Sequence, residues 1–359
     1  MSDPDAFDND DDEDDDVEDE EDTEGEQESP PSNDKNLSVS ELLEKAKKAQ
    51  ALDMEKGIER PKIWVCCVCL GDHSDDLNEI VTCDGCSVSV HEGCYGISDS
   101  ISVSSTVSSS STEPWFCDAC KANVSQPPCE LCPNLGYTIF KETEMGRWVH
   151  LVCALYIPGV AFSEVDKLSF PTLFEMPYNK WGAKTCSLCE DERYAKTGVC
   201  IGCDAGMCRE YFHVTCAQRE GLLSEVNHGE ADQADPYYAH CKLHTDKELI
   251  RRRKRNWLAL QLHMKQNEAD KCGSSREVQD RIQRKLGRYR EKYLFNKNNR
   301  PTPWYPTQKM PRALSTSASL FRSLLHKTEL MGLSTENQHV QPTDVGDIRK
   351  KWHIPPAFK

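Results

Sequence analysis

"WVCCVCLGD", residues 64–72, packs three cysteines into four positions. A zinc ion takes four Cys or His ligands in a tetrahedron, and a two-residue gap lets one tight turn present two sulfurs to one ion. Cys66 and Cys69 have that gap, whereas Cys67 could form only CxC and is left out. Outward from there, CxxC pairs recur at Cys83/Cys86, Cys117/Cys120, Cys129/Cys132, Cys186/Cys189 and Cys200/Cys203. Between them, "VHEGC" (90–94), "VHLVC" (149–153) and "FHVTC" (212–216) each set a His three residues before a Cys, with an apolar residue preceding the His. Such an internal repeat predicts three zinc modules in tandem.

Composition supports metal rather than disulfides. The chain has nineteen cysteines, and its acidic start lacks the basic and apolar regions of a secretory signal. Only 38% of the 359 residues are hydrophobic and mean hydropathy is -0.66, too polar for one large core, so folded modules separated by disorder are expected. Eighteen of the first twenty-eight residues are Asp or Glu and none is basic, so the net charge of -17 belongs to that stretch and the remainder stands near +1. No run of about eighteen apolar residues occurs, so no membrane helix is expected.

The first module supplies Cys66, Cys69, Cys83, Cys86, His91, Cys94, Cys117 and Cys120, an order of four Cys, one His and three Cys, with Trp115 two residues before the seventh. This resembles the plant homeodomain (PHD) finger. A RING finger also cross-braces two zincs, but it usually places its His fourth and lacks this Trp. The resemblance implies that the first and third pairs share one ion and the second and fourth the other. The second module supplies Cys129, Cys132, His150 and Cys153, enough for one ion. In the third, the same cross-brace would pair Cys186, Cys189, His213 and Cys216 on one ion and Cys200, Cys203, Cys241 and His244 on the other. Twenty ligands then close five zinc sites, with Cys67, Cys208 and Cys272 spare; Cys208 reads as a small buried thiol.

A PHD finger, a Cys2HisCys knuckle and an extended PHD finger in this order resemble the PZP cassette of chromatin readers. The expected fold class is therefore small zinc-stabilised α+β modules in tandem, with flanking helices and a disordered acidic N-terminus. The resemblance implies binding of the histone H3 tail, with DNA contact in several members, and a place in the nucleus. PHD fingers take the tail by β-augmentation, as an extra strand. Here the matching strand is "NEIVTC", residues 78–83, offering Asn78, Glu79, Ile80, Val81 and Thr82. Asp72, Asp75, Asp76 and Glu79 could hold an ammonium by charge-assisted bonds, the bland alternative being a solvated acidic loop. By the resemblance Asp84 would pair with an arginine at the tail's second position. The segment from Ser111 to Glu113 before Trp115 would take the free amine, although the long serine-rich stretch ahead of it departs from the family pattern. Methyl-lysine readers surround the cation with aromatic faces. Val65 and Ser89 stand where such readers commonly place aromatics, and neither is aromatic, so the expected tail is unmodified at its fourth residue, a lysine.

The chain divides into an acidic tail (1–36), a helix and linker (37–60), the PHD finger (61–122), the knuckle (123–160), the extended PHD finger (161–246), a basic helical region (247–296) and a mostly disordered end (297–359). Ser38 and Glu41 suit a capping box, which predicts a helix from there to about Glu55. Two more helices are expected to start near Lys247 and near Ser275. Ser274 and Glu277 again suit a capping box, and Val278, Ile282, Leu286, Tyr289 and Tyr293 form one apolar helical stripe. Arg251, Arg252, Arg253, Lys254 and Arg255 are suited to contact DNA phosphates, to act as a nuclear localisation signal, or simply to form a solvated helix face. Nothing suggests catalysis: the histidines in Cys-rich context have ligand roles, every expected site is closed, and no phosphate loop or nucleophile motif occurs. No small-molecule substrate or membrane partner is expected. The competing reading is a zinc-dependent nucleic-acid-binding regulator without tail recognition.

Overall fold

The computed structural model describes residues 39–55, 64–76, 78–97, 114–136, 138–225, 236–273 and 276–299. The helix expected from Ser38 is α1 (Val39–Glu55). The remaining elements lie in one compact unit.

A short hairpin runs into a short helix three times, and each time the His of the sequence repeat stands at the junction. β1 (Ile80–Thr82) pairs antiparallel with β2 (Ser89–His91), which leads into α2 (Glu92–Tyr95). β3 (Phe140–Glu142) pairs with β4 (Trp148–His150), leading into α4 (Leu151–Tyr156). β7 (Cys200–Gly202) pairs with β8 (Tyr211–His213), leading into α5 (Val214–Arg219). His91, His150 and His213 are the extended residues from which the three helices start. An apolar residue precedes each His because the strand alternates faces: Val90, Val149 and Phe212 turn into the core, almost wholly buried.

Around these units the chain adds α3 (Asp118–Lys121), the hairpin of β5 (Ala161–Glu164) and β6 (Ser169–Thr172), and the pair β9 (Leu223–Glu225) and β10 (Tyr237–Ala239). Each of the five described sheets has two strands. Such hairpins are marginal alone, so stability here must come from metal and from packing between modules.

The modules share one core. Every residue of α4 is buried, and Ile157 beyond it is too. From α5, Gln218 Nε2 donates to the carbonyls of both Cys67 and Val68, each at 2.9 Å. Between PHD finger and knuckle, Lys141 is buried with its Nζ 3.1 Å from Asp118 Oδ2 and 3.6 Å above the Tyr95 ring. Burial alone would raise the Asp118 carboxyl, but Lys141 and Lys121 overcome it and hold the group below its ordinary value. Gly96, at φ 80°, is required where the finger meets the backbone of Lys167, since a Cβ would lie 2.3 Å from that carbonyl carbon.

The two helices expected near Lys247 and Ser275 are α6 (Lys247–Gly273) and α7 (Arg276–Asn298). On α6, Asn256 Nδ2 donates to Leu70 O at 3.0 Å, and Leu260 and Met264 are buried. The apolar stripe on α7 faces inward: Leu286 is buried and Tyr289 meets Phe116 edge-on, centroids 5.4 Å apart. Tyr293 donates to Glu142, whose other oxygen takes Lys297 at 2.5 Å. Ser38, Ser274, the serine-rich stretch and both chain ends lie outside the described residues, and so do the side chains of Val278 and Cys272.

Candidate metal centres and strand edge

Five groups of four Cys and His donors occur among the described residues, with the donor atoms of each group within 4.8 Å of one another. They are Cys66/Cys69/His91/Cys94, Cys83/Cys86/Cys117/Cys120, Cys129/Cys132/His150/Cys153, Cys186/Cys189/His213/Cys216 and Cys203/Cys208/Cys241/His244. All-Cys/His sets of four are the donor chemistry of structural zinc, so each group can hold one ion and the protein can hold five.

The geometry around the donors supports ligation. His91 Nε2 donates to His73 O at 2.7 Å, which turns Nδ1 toward the sulfurs, 3.2 Å from Cys69 Sγ. His213 repeats this with Thr197 O at 2.6 Å and Cys189 Sγ at 3.3 Å from Nδ1. Such outer bonds fix the tautomer a metal needs. His150 has no such acceptor among the described residues; the Phe140 ring, centroid 4.4 Å away, orients it by packing. Backbone amides also point at sulfur. His91, His150 and His213 donate from N–H to Cys66, Cys129 and Cys186 at 3.3, 3.4 and 3.3 Å.

Cys67 falls outside every group. Its N–H donates to Ser89 O at 2.9 Å; Glu130 makes the same bond to Trp148 O, and Ser187 to Tyr211 O. The position after the first cysteine is thus a backbone position, which Cys, Glu or Ser can fill.

The fifth group corrects the expected set: Cys208 takes the place given to Cys200. The strand register gives the reason. Cys200 stands opposite His213 as Ile80 stands opposite His91, three residues before the first donor of the next site. Cys203 therefore corresponds to Cys83, and its mate lies after it, not before. That mate is Cys208 across the turn "CDAGMC", where the first finger has "CDGC". The match extends to the following aspartates. Asp84 Oδ2 accepts from Trp115 N–H at 2.9 Å, and Asp204 Oδ2 accepts from Ala239 N–H at 2.7 Å. Cys200 Sγ instead lies 3.6 Å from Lys184 O.

β1 offers a strand edge. Glu92 N–H donates to Glu79 O and Cys83 N–H to Val88 O, so Glu79, Val81 and Cys83 turn their peptide groups toward β2. In an antiparallel pair the alternate residues, Ile80 and Thr82, then face the other edge. Ser74 Oγ accepts from Ile80 N–H at 3.0 Å, whereas Thr82 N–H has no backbone partner among the described residues. That serine bond folds the acidic loop back beside the start of β1, with Asp72, Asp75, Asp76 and Glu79 all exposed. Asn78 has a structural task, accepting from Gly93 N–H at 3.0 Å. Trp115 stands at the far end, edge-on to Tyr95 with centroids 5.2 Å apart. Val65 and Ser89 are buried, and Trp64 meets His263 of α6 at 4.9 Å. Glu113 lies outside the described residues.

The basic run on α6 does not act as one cluster. Arg251, Arg252 and Arg255 are exposed, and Arg251 pairs with Glu248. Arg253 Nη1 donates to Ser224 Oγ at 3.0 Å, and Lys254 Nζ lies 2.6 Å from Glu220 Oε2, so these two anchor the helix to the third module.

Comparison with known proteins agrees with this arrangement. A PHD-finger family model matches residues 66–120, and a model for a PHD-zinc-finger like domain matches residues 127–244. PHD finger protein 14 from Danio rerio is 54% identical over 302 residues, covering 81% of this chain and 32% of its own length. The Homo sapiens protein of the same name is 52% identical over 332 residues, 91% of this chain and 34% of its own length. The crystal structure of zebrafish PHF14-PZP is 59% identical, covers 56% of this chain and 98% of the other, and has a TM-score of 0.49. The chain thus spans about a third of the length of these curated relatives. Among the described residues, no helix is long and apolar enough to cross a membrane.

Proposed function

The chain belongs to the PZP family, PHD finger, zinc knuckle and extended PHD finger in tandem, and from that premise we propose that it is a non-enzymatic nuclear reader that binds the N-terminal tail of histone H3. The observation that carries this reading is the outward edge of β1, with an acidic loop at one end and Trp115 at the other. A tail laid antiparallel to β1 starts near Trp115 and Asp84 and runs toward Ile80. Three residue steps of about 3.3 Å carry it some 10 Å, which brings the fourth residue to the acids. There Asp72, Asp76 and Glu79 are exposed and suited to a lysine ammonium. The exposed Asp84 carboxylate, already held by Trp115, is placed to receive an arginine two residues into the tail.

The preference is for lysine without methyl groups. Trimethylation removes every N–H donor, and neither Val65 nor Ser89 supplies an aromatic face in exchange. Losing a charged hydrogen bond costs about 1.5–3 kcal/mol, so trimethylation at position four should weaken binding tenfold or more. Calorimetry with unmodified, trimethylated and N-terminally acetylated tail peptides checks this. Equal or tighter binding of the trimethylated peptide would overturn the preference. Salt-dependent duplex binding without any peptide binding would favour the nucleic-acid regulator, for which the exposed Arg251, Arg252 and Arg255 are the supporting feature.

A further inference from the structure

We propose that the outward ridge of α7 is a binding surface for the phosphate backbone of duplex DNA, separate from the basic run on α6. This rests on the reading that the protein works at chromatin, but not on the histone-tail site. α7 carries eight basic and three acidic residues. Arg281, Arg284, Arg288 and Lys292 follow one another at spacings of three, four and four, which lines them up along a single helix face. All four are exposed. None pairs with a carboxylate among the described residues; Arg284 Nε donates to Asp280 O at 3.2 Å.

Their direction is fixed by the packing of the other face. Leu286 is buried, Tyr289 packs on Phe116, Arg290 Nε donates to Cys120 O at 3.3 Å, and Lys297 meets Glu142. The helix is held against both the PHD finger and the knuckle, so the four cations form a rigid line. It is about 16 Å long at 1.5 Å per residue. Like charges at i,i+4 repel weakly, and a polyanion lying along them relieves that repulsion. DNA presents one phosphate per about 3.4 Å of axis along each strand. A protein partner would instead be expected to find an apolar or aromatic anchor amid the charges; the Arg281–Lys292 line contains none, and the exposed Phe295 stands one turn beyond its end. A ridge of this kind reads charge and not sequence.

The test compares three versions of the 359-residue chain: wild type, R281E/R284E/R288E/K292E, and R251E/R252E/R255E. Fluorescence anisotropy measures binding to labelled duplexes of two unrelated sequences, of about 20 base pairs, between roughly 50 and 200 mM salt. Zinc content and circular dichroism establish that each variant is folded, and a milder R281Q/R284Q/R288Q/K292Q variant serves if the reversed one is not. The α7 variant should lose at least tenfold in affinity on both duplexes. Its log affinity against log salt should flatten by about 0.9 per phosphate contact removed. H3 peptide binding should be the same as in the wild type. Unchanged duplex affinity and slope in a folded α7 variant would overturn the proposal, as would a loss confined to the α6 variant. If the wild type binds duplex through α7 but no tail peptide, the tail reading fails and this inference stands.

Discussion

Cys200 and Cys208 compete for one coordination position, and backbone register decides between them. Cys200 is the strand residue facing His213, while Cys208 closes a turn whose N–H bonds to Ala205 O at 3.0 Å. Replacing Cys208 by Ser should therefore remove one zinc, leaving four per chain. Cys200→Ser and Cys67→Ser should each leave five. Metal analysis of the purified variants checks the three counts, and loss of zinc from Cys200→Ser would restore the CxxC pairing. Most of the donor set was legible in the sequence because CxxC and HxxC spacings report a geometric need of the metal. The exception was not legible, since twenty donors close five sites with either cysteine. The missing signal was the distance to the strand His: Cys208 stands five residues before His213 as Cys86 stands five before His91, whereas the CxxC at Cys200 and Cys203 hides that match.

The helices that flank the zinc modules are held by polar latches as much as by apolar packing. Glu142 is 2% exposed and has its carboxylate divided between Tyr293 and Lys297, both on α7. A buried carboxylate deprived of a donor costs about 1–3 kcal/mol. Tyr293→Phe should therefore loosen α7 by that amount, read as lost amide protection along residues 286–297 in hydrogen exchange while the zinc count stays at five. Unchanged protection would show that Leu286 and Tyr289 hold the helix alone. The apolar stripe on α7 could be read from periodicity, but its partner could not: Glu142 lies some 150 residues away and looks in sequence like any exposed acid of a turn. The same holds for Arg253 and Lys254, which read as members of a five-residue basic run until Ser224 and Glu220 are placed beside them.

Across the molecule, the metal shells of the knuckle and the extended finger are interleaved, and the first finger is tied to them beside its own. Thr215 Oγ1 donates to Cys132 Sγ of the third group at 3.4 Å, and Asn134 Nδ2 donates to Cys216 Sγ of the fourth at 3.1 Å. Gln218 of the extended finger reaches into the first finger's opening stretch, where Cys67 lends its carbonyl. Such coupling could not be derived from spacing, which reports each metal group but not its neighbours. It leaves the outer edge of β1 standing on this frame, where an added strand meets Thr82 N–H, which has no backbone partner among the described residues, while Ile80 N–H already bonds Ser74 Oγ. The most direct test is the amide of Thr82 in the isotope-labelled chain, followed by NMR as unmodified H3 tail peptide is added. The account predicts that the Thr82 N–H shifts strongly and gains protection from exchange, with smaller changes at Ile80, while the amides of Val81 and Cys83, already bonded toward β2, stay protected throughout. Peptide binding that leaves Thr82 unperturbed, or no binding at all, would contradict it.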